Sequence, residues 1–115
     1  MLTLKSSIDF QRVRHKGRSW SHPLVVLIAC RNDQKETRLG VAAGKSVGNA
    51  IARNRAKRRL RAAVQNQQKN VGIASGWDIV LIARAPVVSA QWNDVKEALN
   101  KMMLKAKVTA TLSSQ

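Results

Sequence analysis

A dense set of cationic side chains between positions 53 and 61 carries the clearest chemistry in this sequence. A guanidinium group can hold a phosphate through two parallel hydrogen bonds, and an asparagine amide can both donate and accept. Such residues are suited to contacting a phosphate backbone rather than to breaking bonds. The set comprises Arg53, Asn54, Arg55, Lys57, Arg58, Arg59 and Arg61.

A helix would place these side chains on one surface. The segment from Gly48 to about Gln68 lacks proline and is rich in helix-forming residues. Arg53, Lys57 and Arg61 would form one ascending row, and the six cations of the set would fall on roughly 13 Å of helix axis. An apolar stripe able to pack on a sheet has the same helical spacing: Ala52, Ala56, Leu60 and Ala63.

A solvated face of salt bridges does not explain this helix, because the segment contains no Asp or Glu. Unpaired cations repel one another there, whereas a nucleic-acid backbone complements them. A DNA-reading helix stays open as an alternative, although the segment just upstream is predicted to be a strand rather than a helix-turn-helix partner. Ile51 projects among the basic residues, and the helical wheel gives no reason for it.

The overall charge also points to an anionic partner. The chain has 115 residues with 21 Lys and Arg against 6 Asp and Glu, a formal net charge of +15. Its length fits one domain over residues 1–115. A membrane surface is the rival partner, but no apolar run approaches the roughly 18 residues of a spanning helix. Residues 1–10 lack the apolar stretch of a signal peptide, so a cytoplasmic protein is expected.

Catalysis by the protein itself has little support. The acids are scattered, without the cluster of a two-metal site. His15 and His22 could serve as general acid and base, but exposed polar residues are the simpler interpretation. Cys30 lies in an apolar run and is interpreted as a small buried hydrophobe. No catalytic residue, metal site or small-molecule substrate is predicted; the acids are Asp9, Asp33, Glu36, Asp78, Asp94 and Glu97.

The first half of the chain predicts one helix and two strands. A short helix follows Ser6-Ser7 and ends at Gly17. The apolar run 24–30 and the segment 37–43 read as strands. The polar residues between them predict a turn, so the two strands are expected to pair as an antiparallel hairpin.

The second half predicts a loop over 65–76, a strand and a final helix. The continuous apolar run 79–83 suits a central strand covered on both faces, and Pro86 ends it. Ser89 is the expected N-cap of the last helix, with Asp94 near its positive end. The pattern predicts a single two-layer domain of mixed α and β structure. The apolar face of the last helix comprises Trp92, Val95, Leu99 and Met102.

The cationic segment and three flanking motifs resemble those of the bacterial ribonuclease P protein component. The signature is Gly48-Asn49-Ala50 followed by Arg53-Asn54-Arg55-x-Lys57-Arg58-x-x-Arg61. The flanking motifs are Asp9-Phe10-Gln11-x-Val13 with Gly17, Arg38-x-Gly40-x-x-x-x-Lys45, and Asp78-x-Val80-x-Ile82-Ala83-Arg84. They fall in the family's order over nearly the whole chain, which makes the resemblance specific.

The resemblance implies an α+β fold and a role in tRNA processing. The expected fold is a four-stranded mixed sheet with three helices, in which the basic helix makes a left-handed crossover against the usual right-handed rule. The expected role is that of a subunit which helps a catalytic RNA to remove the 5′ leader of precursor tRNA. Mg²⁺ is expected on the RNA and no dedicated cofactor on the protein. The implied catalytic-RNA contacts are Lys45, Arg53, Asn54, Arg55, Lys57, Arg58 and Arg61.

A second implied surface, between the first helix and the sheet, would hold the single-stranded leader. Unstacked bases can lie there on aromatic or apolar side chains. The alternative for Phe10, Val26 and Ile28 is that they are core residues. Arg14 and Ser46 depart from the family pattern, since relatives often carry an aromatic residue and a second lysine there. The implied leader contacts are Phe10, Arg14, Val26 and Ile28.

Two questions stay open in the sequence. Trp92 and Trp77 are interpreted as packing residues, whereas Trp20 follows basic residues and is left unassigned. A ribosomal or RNA-annealing protein without an enzymatic complex is the alternative function, since charge and size alone do not exclude it.

Overall fold

Five strands and three helices make up the described part of the fold. The computed structural model describes residues 1–109. The strands are β1 (Leu2–Thr3), β2 (Arg18–Ser21), β3 (Val25–Arg31), β4 (Arg38–Ala43) and β5 (Trp77–Ala83). The helices are α1 (Ser7–Lys16), α2 (Ala50–Asn70) and α3 (Trp92–Ala106), and short 3₁₀ turns occupy Lys45–Val47 and Ala85–Val88.

The strands form one mixed sheet in the order β1-β4-β5-β3-β2. The predicted α+β class with three helices is confirmed, but the expected number of four strands is wrong. The short edge strand β1 pairs parallel to β4 through Leu2 and Thr3, and β2 pairs antiparallel to β3. β1 has only two residues, which is too short to show the alternating pattern from which a strand is predicted.

The predicted hairpin between β3 and β4 is also wrong. β5 lies between them, antiparallel to β3 and parallel to β4. Ile79, Val80 and Leu81 are fully buried, so the strand that is apolar on both faces takes the middle of the sheet. The chain reaches β5 from β4 through α2, which is the crossover that parallel neighbours require.

The helices cover opposite faces of the sheet. Alternate residues of β3 and β5 pack beneath α1, with Val13, Ile28 and Val80 in that smaller core. The other residues of these strands pack beneath α2 and α3, where Leu27, Leu81 and the apolar stripe of α2 form the larger core. The predicted stripe is confirmed, because Ala56, Leu60 and Ala63 are buried and Ala52 packs against them.

Helix ends follow the sequence with two exceptions. The loop predicted over 65–76 is wrong in its first part, because α2 continues to Asn70. Ser6 caps α1 by accepting from the Ile8 amide at 3.1 Å, and Asn49 caps α2 by accepting from the Ala52 amide at 2.9 Å. The predicted cap at Ser89 is wrong, since α3 begins after Gln91. The Ser89 amide instead donates to the Pro86 carbonyl at 3.3 Å and closes the preceding 3₁₀ turn.

Gly17 ends α1 as predicted. A glycine is needed there because a side chain would not fit, and not because the backbone adopts an unusual conformation. Its φ of −79° is open to any residue. A Cβ there would lie 2.6 Å from the Val13 carbonyl and 2.9 Å from that of Ala29. Glycine therefore lets the end of α1 approach β3 closely.

Candidate RNA interface

The basic residues of α2 lie together on the side of the helix that faces away from the sheet. The helix contacts the core through Ala52, Ala56, Leu60, Ala63 and Val64, so most of its cationic side chains lie on the remaining surface. Lys45 is exposed in the turn that precedes the helix. Of the predicted catalytic-RNA contacts on α2, Asn54, Arg55, Arg58 and Arg61 are exposed, and Arg53 and Lys57 are half-buried.

The positive charge of α2 is not neutralised within the described chain. Among residues 1–109, every ion pair joins Arg12 or Arg38 to Asp9 or Asp78. None of these residues belongs to α2, whose first turn also lacks an acid. The helix therefore presents an uncompensated field to solvent, which attracts a polyanion.

Two arginines of this helix also hold α3 in place. Arg59 donates to the carbonyls of Val88 and Ala90, and Arg55 donates from Nε to the Val88 carbonyl at 3.1 Å. These carbonyls lie in the linker just before α3. The arginines thus hold the start of α3 against α2. The sequence does not predict this contact, because counting charges does not show which arginine binds protein and which faces solvent.

The opposite face of the sheet carries the predicted leader residues. The ring of Phe10 lies on Gly40, where a Cβ would be 2.5 Å from the ring Cζ. Phe10 and Val26 are half-buried, and Arg14 is exposed at the end of α1. Ile28 is buried beneath α1, so it forms the floor of this face rather than its surface. Ile82 is half-buried beside Val26 on the paired strand and belongs to the same face.

A groove of about 840 Å³ continues from this face to the end of the sheet. Ile82 belongs both to this face and to the groove. Ser46 and Arg84 also line the groove. Ser46 is adjacent to Lys45, directly before the basic helix. The two predicted RNA surfaces therefore lie on opposite faces of the sheet and approach each other at this end.

A buried carboxylate fixes α1 on the sheet. Asp78 of β5 is fully buried and accepts from Nε of Arg38 at 2.8 Å, from Asn32 at 2.8 Å and from Arg12 of α1. Burial alone would raise the pKa of Asp78, but the hydrogen bonds from Arg38, Asn32 and Arg12 outweigh it and lower this pKa to about 2. A lone acid in an apolar strand is a signal that could have predicted such a network.

The residues considered for protein catalysis are not brought together. His15 is exposed on α1, whereas His22 accepts from the Leu24 amide through Nδ1 at 3.0 Å. Burial lowers the pKa of His22, and Lys101 and Lys105 lower it further. Within residues 1–109, no three His, Cys, Asp or Glu side chains are placed to share a metal ion. Cys30 is buried as predicted.

The three tryptophans differ in their surroundings. Trp20 and Trp77 are partly buried against the larger core. The predicted packing of Trp92 is wrong, because 39% of its surface is exposed. It is the first residue of α3, which begins after Gln91 rather than after the predicted cap at Ser89. No helix in the described part of the chain is both long and apolar enough to cross a bilayer.

Comparison with known proteins agrees with the motifs. The family model for ribonuclease P matches residues 2–107. The ribonuclease P protein component of Herpetosiphon aurantiacus is 38% identical over 105 residues, covering 91% of this chain and 84% of the relative. That of Clostridium botulinum is 34% identical over 104 residues, covering 90% and 92%.

Solved structures agree in fold. The ribonuclease P protein of Staphylococcus aureus superposes with a TM-score of 0.81 at 30% identity, covering 96% of this chain and 99% of that protein. The Thermotoga maritima protein gives a TM-score of 0.79 at 25% identity, covering 91% and 97%. With motifs, family model and fold in agreement, the chain belongs to the ribonuclease P protein component family and is a protein subunit of that ribonucleoprotein endoribonuclease.

Proposed function

We propose that α2 and Lys45 hold the catalytic RNA, and that the face formed by Phe10, Arg14, Val26 and Ile82 holds the 5′ leader of precursor tRNA. The observation that carries the first half is the acid-free helix, whose cations have no ion-pair partner in the described chain. The family assignment sets aside the alternative of a ribosomal or RNA-annealing protein.

The leader surface is supported by its composition. It offers one aromatic ring and two aliphatic side chains that are only half-buried, with Arg14 exposed at its end. A surface of this kind can stack or cover unpaired bases without reading their sequence. Ile28 contributes by supporting this surface from below. The groove lined by Ser46 and Arg84 extends it toward α2, which gives an RNA strand a continuous path.

The chemistry is proposed to reside in the RNA, in the cytoplasm where precursor tRNA is available. The protein's cations reduce the repulsion between RNA phosphates, and its two surfaces position the substrate. Mg²⁺ is proposed to bind to the RNA, with no dedicated cofactor on the protein. The β4–α2–β5 crossover is proposed to be left-handed, as the family resemblance implies.

Cleavage of precursor tRNA at varied Mg²⁺ tests this division of labour. We expect the protein to stimulate the catalytic RNA most at low Mg²⁺, and the RNA alone to recover activity at high Mg²⁺, because free cations supply the same screening. A variant with His15→Ala, His22→Ala, Asp94→Ala and Glu97→Ala should keep near-full stimulation once folding is verified. Cleavage by the protein without RNA, abolished in that variant, would overturn the assignment of chemistry to the RNA.

Substitution of Phe10 tests the leader surface. In the assembled complex, Phe10→Leu should weaken binding of precursor tRNA by about tenfold, the order of one lost base–aromatic stack. Mature tRNA has no leader, so its affinity should be unchanged. Leucine preserves an apolar contact with Gly40, which limits the effect on folding. Ile8→Leu is the matched control, because Ile8 is 75% exposed on the same helix. Equal losses for precursor and mature tRNA would contradict the leader role.

A further inference from the structure

A groove between α2 and α3 combines an exposed aromatic ring with arginines. Trp92 lines it from the first turn of α3, and Arg55, Arg58, Arg59 and Ala62 line it from α2. Its volume is about 430 Å³. The groove lies on the face of the sheet opposite the proposed leader surface, so it is separate from the cleft containing Phe10.

Trp92 is the most exposed of the three tryptophans, and the other two indoles are each covered by an arginine. Arg18 lies over Trp20 with its guanidinium 5.7 Å from the ring centroid, and Arg31 lies over Trp77 at 5.0 Å. In the described part of the chain no arginine covers Trp92 in this way. An exposed indole face beside cations is the arrangement on which nucleobases stack.

Hydrogen bonds between α2 and the linker before α3 connect the two walls of the groove. Arg59 and Arg55 bind the carbonyls of the linker that leads into α3, which sets the position of Trp92 against α2. Ala62 contributes only a methyl group to the floor, which leaves room for a flat ring. A site that is already ordered loses less conformational entropy on binding.

The charges of the groove favour a nucleotide. Arg58 is exposed, and its guanidinium has no hydrogen-bond or ion-pair partner within residues 1–109, so it can contact a phosphate. No acid lines the groove. Asp94, in the first turn of α3, lines a separate groove with His22 and Lys101. Arg55 and Arg58 also belong to the basic surface of α2, so a strand bound along that helix reaches Trp92 without a gap.

We propose that the groove between α2 and α3 binds an unpaired nucleotide of the catalytic RNA, with its base stacked on Trp92 and its phosphate held by Arg58. The inference rests on the proposed function of α2 and adds a single-stranded contact to it. It also assigns α3 a direct role in RNA binding.

Affinity for ribonuclease P RNA, measured with the full chain, tests the stack. Trp92→Leu should weaken binding by about 5- to 150-fold, the range for loss of one base–aromatic stack. Trp92→Phe should restore most of the affinity, because phenylalanine also presents an aromatic face. The slope of affinity against salt should not change in Trp92→Leu, because no cation is lost, whereas Arg58→Ala should reduce it. Full affinity in Trp92→Leu, or equal losses in both Trp92 variants, would overturn the proposal.

Chemical probing of RNA bases at saturating protein gives a second, structural readout. One unpaired base should be protected in the wild-type complex and become reactive in the Trp92→Leu complex, while the rest of the pattern is unchanged. Failure to find such a base would sink the stacking site.

Arg53→Ala separates the inference from the proposed function. Arg53 belongs to α2 but does not line the groove. If Arg53→Ala weakens binding and Trp92→Leu does not, only the stacking site is wrong. If Arg53→Ala and Arg58→Ala both leave affinity intact, the proposed function of α2 is wrong as well.

Discussion

Replacement of Asp78 with alanine is expected to destabilise the protein by about 3 kcal/mol, the order found when one partner of a buried ion pair is removed. The carboxylate is fully buried and accepts from Arg12, Arg38 and Asn32, so its removal takes a buried acceptor away from all three side chains. Asn32 still donates to the Glu36 carbonyl, and the two arginines still pair with the partly exposed Asp9. The midpoint temperature of thermal unfolding should fall by about 15 °C for a domain of this size.

The part of the stability that depends on the ionised carboxylate of Asp78 should also be lost at acidic pH. Its folded-state pKa of about 2 lies below its unfolded-state value. The stabilisation is therefore fully present above about pH 4 and is lost as the pH falls toward 2, amounting to about 2 kcal/mol. Unfolding free energies of wild type and Asp78→Asn should accordingly converge between pH 4 and pH 2.

Asp9→Ala is the matched control for Asp78. Asp9 pairs with the same two arginines at 3.5 Å and 3.6 Å, but its side chain is 30% exposed. Partly exposed pairs contribute up to about 1 kcal/mol, so this variant should lose much less stability. If both variants lost the same stability, burial of the Asp78 carboxylate would add nothing to its effect. That result would contradict the stabilising role assigned to its hydrogen-bond network.

Removal of three cations from α2 is expected to have the largest effect on RNA binding. In a variant with Arg53→Ala, Arg58→Ala and Arg61→Ala, three phosphate contacts would be lost together. Affinity for ribonuclease P RNA should fall by about 100-fold near physiological salt, and the slope of log affinity against log salt should decrease by about 2 to 3. Binding titrations at several salt concentrations measure both quantities.

A variant with Lys35→Ala, Lys101→Ala and Lys105→Ala is the control for net charge. These lysines are exposed and lie outside α2, and the variant loses the same three charges. Its affinity should change only slightly, because long-range attraction is screened over about 8 Å at physiological salt. If both variants lose affinity equally, net charge rather than the surface of α2 explains binding.

The sequence was sufficient to predict the elements that local patterns define. Ser6 and Gly17 mark the ends of α1, and the alanine stripe of α2 and the apolar run of β5 are all where they were predicted. The basic helix was identifiable because an acid-free run of cations repels itself unless a polyanion lies against it. The family resemblance supplied the mixed sheet that periodicity could not.

Pairing between distant segments was not predictable from local patterns. β3 and β4 read as a hairpin because they are neighbours in sequence, whereas β5 pairs with both. The spacing of Trp92 fits the apolar face of α3 and therefore predicts a packing residue. A start of α3 after Gln91 instead places it at the helix end, where the ring is exposed. Tertiary contacts decided both cases.

The sequence predicts which residues belong to the site better than it predicts whether each one contacts RNA or protein. Arg55 and Arg58 look alike in sequence, yet Arg55 contacts the linker before α3 and Arg58 does not. The family resemblance implies a leader contact for Ile28, but its register on β3 places it beneath α1. Whether a side chain faces RNA or protein depends on packing that spacing alone does not fix.

The central place of β5 has a consequence for synthesis of the protein. Of the strands in residues 1–109, β5 is the last to leave the ribosome, yet both β3 and β4 need it as their shared partner. The first 76 residues therefore emerge with apolar strands whose inner edges are unpaired, a state prone to association. The cations of α2 are already present in this nascent segment, and we expect the repulsion between such chains to oppose their association until the sheet closes.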